Sequence, residues 1–224
     1  MPGRRLLTMS DELIEKLYST KENGYYSFVR WDVISCVEKK YNNVLEIGCG
    51  DGSTLVELKK LQLADCVVGL DLLCKEPKVA FTHPDEFLTG NIESSELPFD
   101  EGHFDLILCA DVIEHLIDPW NVLKKLHALL GEGGSIVASF PNLCYHKILR
   151  NLIFKNDFAY TKSGILDRGH LRFFTIKSAE NMMRESGFTI VKMVPIYGKT
   201  KDTILSKVLP RRFFCSQFIV VGEK

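Results

Sequence analysis

Four short apolar runs rich in β-formers, VLEIG (44–48), CVVGLD (66–71), FDLILCAD (104–111) and SIVASF (135–140), are separated by stretches of helical periodicity. This alternation restricts the chain more than any other feature. Strands that are apolar on both faces need cover on both faces, and parallel neighbours need a crossover between them, usually a helix. TLVELKKLQL (54–63) and DPWNVLKKLHALL (118–130), the second stopped by GEGG, supply two crossovers. The expected class is therefore α/β, with a buried parallel sheet. The end of the chain departs from the pattern. A helix near Ser178–Glu185 stops at Gly187, and FTIVKMV (188–194) and FFCSQFIVVGE (213–223) follow with only a loop between them. A loop with so little helix signal predicts an antiparallel last strand. Tyr25 to Tyr41 reads as a helix leading into the fold, with Phe28, Val33, Ile34 and Val37 on one side. The division expected is an N-terminal helical segment (1–40) and one domain (41–224).

Residues 141–174 interrupt the regular alternation with an aromatic, basic connection. Connections this long tend to be functional, and a lid over the strand ends is the expectation, with a small packing helix in HKILRNLIFKNDF as the alternative. The formal net charge of −1 conceals a division: residues 1–140 carry 13 basic and 23 acidic side chains, residues 141–212 carry 14 and 5. Either the two parts attract each other, or the basic part faces an anionic substrate or surface. An apolar fraction of 46% excludes a disordered chain, and no run is long enough to span a membrane. The start, MPGRRLLTMSDELIEK, lacks the apolar core of a secretory leader. Seven cysteines without a C-x-x-C fit reduced thiols, and a cytoplasmic location is expected.

Glu46-Ile47-Gly48-Cys49-Gly50-Asp51-Gly52 joins the first run to its helix. Glycines there allow a sharp turn and close approach of a ligand to backbone N–H groups. The loop lacks the Lys of a phosphate-cradling P-loop, and its G-x-G-x-G spacing is not the G-x-G-x-x-G of dinucleotide sites. An acid two residues before the first glycine would repel a pyrophosphate and suit a cationic ligand with a free carboxylate. Asp71, 19 residues after Gly52, ends the next run, where a carboxylate can accept both hydrogens of a ribose diol. At Gly90-Asn91-Ile92, an amide stands beside an apolar side chain, as adenine recognition requires.

Together VLEIGCGDG, Asp71, GNIESSELPF and FDLILCADVIEHL resemble the class I S-adenosylmethionine-dependent methyltransferases over about residues 40–140. The resemblance implies a Rossmann-like seven-stranded, mostly parallel sheet with an antiparallel last strand. Helices would lie on both faces, with the lid inserted after the fifth strand. It places Glu46, Gly48, Cys49 and Gly50 at the methionine part of S-adenosylmethionine, Asp71 and Leu72 at the ribose, Asn91 and Ile92 at the adenine, and Asp111 beside the sulfonium. Asn91 stands where the family more often has aspartate. Arg30 and Tyr26 are candidates to cap the cofactor carboxylate.

Asp111, Glu114 and His115 stand at i, i+3 and i+4, which on a helix would put all three on one face. With His170 from DRGHLRFFT they form a candidate oxygen/nitrogen site for Mn²⁺, Mg²⁺ or Fe²⁺. The pattern is similar to the E-x-x-E-H and distant histidine of small-RNA 3′-terminal 2′-O-methyltransferases, and to the EH of quinone-precursor O-methyltransferases. The alternative is that the histidine packs or holds substrate without metal. DRGHLRFFT itself resembles the methyltransferases of surface-polysaccharide and O-antigen biosynthesis. Tyr145, Phe158, Tyr160 and Phe173 suit sugar faces or rings, while Arg168 and Arg172 suit phosphate or carboxylate. The expected activity is O-methylation of a small anionic or sugar-like acceptor, with His170 or His115 as base. The alternatives are 2′-O-methylation at an RNA 3′ end and non-catalytic cofactor binding to support a partner protein.

Overall fold

The computed structural model describes residues 28–72, 84–197 and 210–224. Tyr26, a candidate to cap the cofactor carboxylate, lies outside them. Seven strands, β1 (Tyr41–Ile47), β2 (Ala64–Asp71), β3 (Glu86–Thr89), β4 (Phe104–Cys109), β5 (Leu130–Pro141), β6 (Thr189–Tyr197) and β7 (Cys215–Glu223), form one sheet in the order β3-β2-β1-β4-β5-β7-β6. β1 to β5 pair in parallel, and β7 enters antiparallel between β5 and β6. The seven-stranded α/β fold expected from the alternating runs is thus present. Strand order reverses between β1 and β4, and such a switch point opens a crevice beyond the carboxyl ends of the strands.

Among the described residues, five α-helices accompany the sheet: α1 (Trp31–Ile34), α2 (Ser53–Lys60), α3 (Pro119–Leu129), α4 (His146–Lys155) and α5 (Ile176–Glu185). Successive strand residues point to opposite faces, and the core divides accordingly. Val44, Val67, Leu106 and Leu108 pack with Val33 and Ile34 of α1 and Leu55 and Leu58 of α2. Leu45, Val68 and Ile107 pack with Leu123 and Leu126 of α3 and Met182 and Met183 of α5. The ends of the second pair of helices are set locally. The Asp118 side chain accepts from Asn121 N–H with Pro119 at the first helical position, and Thr175 and Ser178 form a reciprocal capping box.

One expectation needs correction. In the described part of Tyr25–Tyr41 the α-helix is a single turn, Trp31–Ile34. Arg30 does not extend it: its ψ of 75° is non-helical, its N–H donates to Thr54 Oγ1 at 3.2 Å, and its guanidinium reaches Asp111 and Ser139 on the sheet. The alternative weighed for 141–174, a small packing helix, is met in part: the helix forms as α4, but none of its ten residues is buried.

Candidate active site

A cavity of about 420 Å³ occupies the crevice at the ends of β1, β2 and β4, within the range typical of small-molecule sites. All ten cofactor positions named above line it: Arg30, Glu46, Gly48, Cys49, Gly50, Asp71, Leu72, Asn91, Ile92 and Asp111. His115 lines it too, whereas no residue of the 141–174 segment does. The glycine loop is latched to β2: Gly48 N–H donates to Leu70 O at 2.8 Å and Gly50 N–H to Asp71 Oδ2 at 2.8 Å. Gly48 has φ +69°, and a Cβ there would lie 2.5 Å from Val112 Cγ2. The Cys49 side chain turns inward against Gly69, and burial pushes its thiol pKa up, which makes it packing rather than a nucleophile.

Glu46 is buried at 3% exposure, and burial pushes its carboxyl up to about 8, with Asp71 and Asp51 adding to the effect and Arg30 opposing it. Its Oε2 has no hydrogen-bond partner among the described residues. A buried carboxylate oxygen in that position is costly unless a ligand donates to it. Thr54, which sequence reasoning missed, hydrogen-bonds Glu46 from the first turn of α2.

Arg30 forms a fork on Asp32, Nε to Oδ1 at 2.9 Å and Nη2 to Oδ2 at 2.8 Å, and reaches Asp111 Oδ2 through Nη1 at 2.5 Å. Burial works against its charge, but the hydrogen bond to Asp32 and the Asp111 carboxylate outweigh burial and raise its pKa. Asp111, at φ +56°, also takes hydrogen bonds on Oδ1 from Ser139 Oγ at 2.9 Å and from Gln217 Nε2. Ser139 and Gln217 were not among the expected site residues. Their signal was a polar side chain inside an otherwise apolar strand. Phe28, Arg30 and Asp111 also border a second hollow, toward Trp31, Ile196 and Gln217.

The expected four-residue metal group is corrected to three. Asp111 is held by Arg30, Ser139 and Gln217, and the chain after it makes a 3-10 turn, Ile113–His115, instead of the α-helix that would align i, i+3 and i+4. Glu114, His115 and His170 do come together, with one ligand atom of each within 4.8 Å of the others. Backbone pairing brings His170 there: Glu114 O accepts from Leu171 N–H at 2.8 Å and Arg172 N–H at 3.0 Å. The His115 and His170 rings meet edge to face at 4.8 Å. His115 Nδ1 lies 2.8 Å from Gly169 O, and His170 Nδ1 lies 3.0 Å from Ile165 O. A carbonyl oxygen can only accept, so each Nδ1 carries the hydrogen and Nε2 is the basic nitrogen of the neutral ring. His170 Nε2 stands 3.9 Å from Glu114 Oε1.

At the far end of the cavity, Asn91 Oδ1 accepts from Glu93 N–H at 3.0 Å, and its carbonyl oxygen accepts from Ser94 and Ser95. Lys125 of α3 supports this turn from below, donating from Nζ to Ile92 O at 3.3 Å and to Ser95 O. Lys125→Met should therefore loosen Asn91 and Ile92 without emptying the core. The expectation is roughly a tenfold rise in the Kd of a ligand held there, from the loss of one to two hydrogen bonds to a charged donor. Calorimetric titration beside a thermal melt checks it.

Residues 13–193 match the family described as "Methyltransferase domain". Among curated relatives, the ubiquinone biosynthesis O-methyltransferase of Psychrobacter arcticus is 30% identical over 156 residues, 65% of this chain and 58% of that one. The enzyme of the same name from Acinetobacter baylyi is 32% identical over 44% of this chain and 43% of its own. A tRNA U34 carboxymethyltransferase of Nautilia profundicola is 28% identical over 52% and 40%. The matches thus span about two fifths to three fifths of these relatives, and none of the three is a surface-polysaccharide enzyme. Among solved structures, a SAM-dependent methyltransferase from Thermotoga maritima superposes with a TM-score of 0.64 at 18% identity, covering 95% of this chain and 99% of the other. A chain from the complex of the Haloferax volcanii Trm112 methyltransferase activator with its methyltransferase gives 0.62 at 16%, covering 97% and 98%. The family match spans the cavity and most of the sheet that builds it, and this chain belongs to the methyltransferase domain family.

Proposed function

We propose that the chain binds S-adenosylmethionine in this cavity and transfers its methyl group to a hydroxyl oxygen of a small acceptor. The observation that carries the reading is the unpartnered, buried Glu46 Oε2 in a cavity that also presents Asp71. An ammonium group satisfies the first acid and a ribose diol the second, and the donor set of a methionine-linked adenosine fits both. When bound, S-adenosylmethionine supplies a methyl carbon activated by a positively charged sulfur. The protein's work is then alignment and proton removal, and alignment alone can lower a barrier by ~7–11 kcal/mol.

Each residue has a defined task. Glu46 accepts from the ammonium, and Arg30, a cation that lines the same cavity, favours the carboxylate. Ile92 packs on the adenine, and Asn91 Oδ1 has a second lone pair for the adenine amino group. Asp111, fixed by three partners, lines the cavity and would offer its carboxylate to the positive sulfur. With S-adenosylmethionine bound, its methyl carbon would go to the acceptor oxygen and the C–S electron pair would stay on sulfur, while His115 Nε2 would take the hydroxyl proton. His170 and Glu114 stand behind His115 and hold it in register. The acceptor we infer is small, hydroxylated and sugar-like or anionic, which the exposed Arg168 supports; the printed names of the two ubiquinone relatives favour oxygen as the atom methylated.

The clustered donor atoms of Glu114, His115 and His170 favour a second reading, in which they hold Mn²⁺ or Mg²⁺ and the ion acidifies the hydroxyl. The two readings exclude each other at His115, because a metal-bound Nε2 cannot take a proton. His115→Asn should lower kcat ~10²–10⁴-fold with cofactor affinity kept. Wild-type turnover that survives a chelator supports the base; turnover lost on chelation and restored by Mn²⁺ supports the ion. RNA as acceptor is favoured by the basic 141–212 stretch, and it requires binding that falls steeply with salt. Cofactor uptake without S-adenosylhomocysteine release over a panel of hydroxyl acceptors would leave a non-catalytic binding protein.

A further inference from the structure

We infer that α4, with the turn at its base, is a peripheral docking surface for bilayers that carry anionic headgroups. Ile148, Leu149, Leu152 and Ile153 recur at i, i+1, i+4 and i+5, the spacing of one apolar arc on a helix. A helix of this pattern normally buries the arc in its own protein, but no residue of α4 is buried. Ile153 is 69% exposed and Phe154 80%, at the end farthest from the sheet. The opposite end is anchored: Tyr145 is buried, His146 Nδ1 lies 3.3 Å from Phe213 O, and Asn142 Nδ2 donates to Arg212 O at 3.0 Å. The helix is therefore a fixed arm with an apolar tip, closed by Asn156 in the left-handed region at φ 48°.

The charges around the arm choose its occupant. Lys147, Arg150 and Lys155 are exposed on α4, and Arg211 and Arg212 are exposed on the turn that anchors it; Asp157 is the acid that follows. Apolar side chains entering the headgroup boundary, flanked by long cationic side chains that reach phosphates, are the arrangement of an interfacial helix. A second copy docking through the same face would set these cations against their own images. Nucleic acid would leave Ile153 and Phe154 in water. No helix among the described residues is long and apolar enough to cross a membrane, so the association is peripheral.

The full chain sedimented with phosphatidylcholine vesicles, with and without phosphatidylglycerol, tests this. We expect partition onto the anionic vesicles only, weakening as salt rises. Ile153→Ser with Phe154→Ser should reduce partition at least tenfold, and Lys147→Gln or Arg150→Gln about fivefold each. The serine pair and Arg150→Gln should melt with the wild type, and all should keep cofactor affinity, since none lines the cavity; Lys147 also stands over the buried Tyr145 ring, so its variant is compared at equal folded fraction. No partition onto either vesicle, or equal partition of the serine variant, overturns the inference. So does a dimer of the wild type that the serine variant abolishes in light scattering, which assigns the face to a second copy.

Discussion

Glu46→Gln should make the ligand-free protein more stable at pH 8 than the wild type and weaken uptake of S-adenosylmethionine roughly a hundredfold or more. Both effects come from one carboxyl. Burial raises its folded pKa from 4.5 to about 8, so between those values the folded protein holds a proton that the unfolded chain has released. The unfolded state then binds fewer protons, and stability falls as pH rises across the window. The shift corresponds to on the order of 4 kcal/mol lost by pH 8. Glutamine carries no such linkage, so melts at pH 5 and pH 8 should show a steep difference for the wild type and a shallow one for the variant. Binding reverses the sign. An ammonium beside Glu46 favours the ionised carboxylate, so cofactor uptake near neutral pH should release a proton, and affinity should rise with pH up to about 8. Calorimetry in buffers of different ionisation heat measures that proton. A variant whose melting follows the wild type at every pH, or uptake with no proton released, contradicts the assignment.

Much of this site could be read in the sequence because it sits where the backbone pattern is regular. Glu46 and Asp71 close the apolar strands β1 and β2, and a strand's end in a parallel sheet is the one place from which its side chains reach the crevice. Even the antiparallel β7 was visible, in a connection too poor in helix for a crossover. The failures share a cause. Asp111 was grouped with Glu114 and His115 on helical spacing, but φ +56° and the 3-10 turn rotate it away to meet partners distant in sequence. Gln217 stands opposite Pro141 in the β5–β7 register, and that long-range pairing brings it to Asp111, 106 residues away in the sequence. Nor can periodicity tell whether an amphipathic helix has found a surface. α4 carries the pattern of a packed helix, yet Ile148 and Leu149 are only half-buried and Leu152 and Ile153 are exposed.

Gly48→Ala should lower the melting temperature by about 6–10 °C and abolish measurable cofactor uptake, for two separable reasons. The first is conformational: φ +69° costs a residue with a Cβ about 1–2 kcal/mol wherever it points. The second is spatial, because the new Cβ would lie 2.5 Å from Val112 Cγ2, inside any contact that carbon atoms tolerate. Valine is stiff at χ1, so it cannot swing clear within its rotamer. Val112 also caps the 3-10 turn that carries Glu114 and His115, and displacing it carries the disturbance from the methionine end of the cavity to the histidines. Adding Val112→Ala to Gly48→Ala removes the clash and leaves the backbone strain. The pair should therefore recover about half of the lost melting temperature, a departure from additivity of 1 kcal/mol or more expected for touching residues. Strictly additive losses would mean that the loop yields elsewhere and that the narrow gap between Gly48 and Val112 does not set the shape of the site.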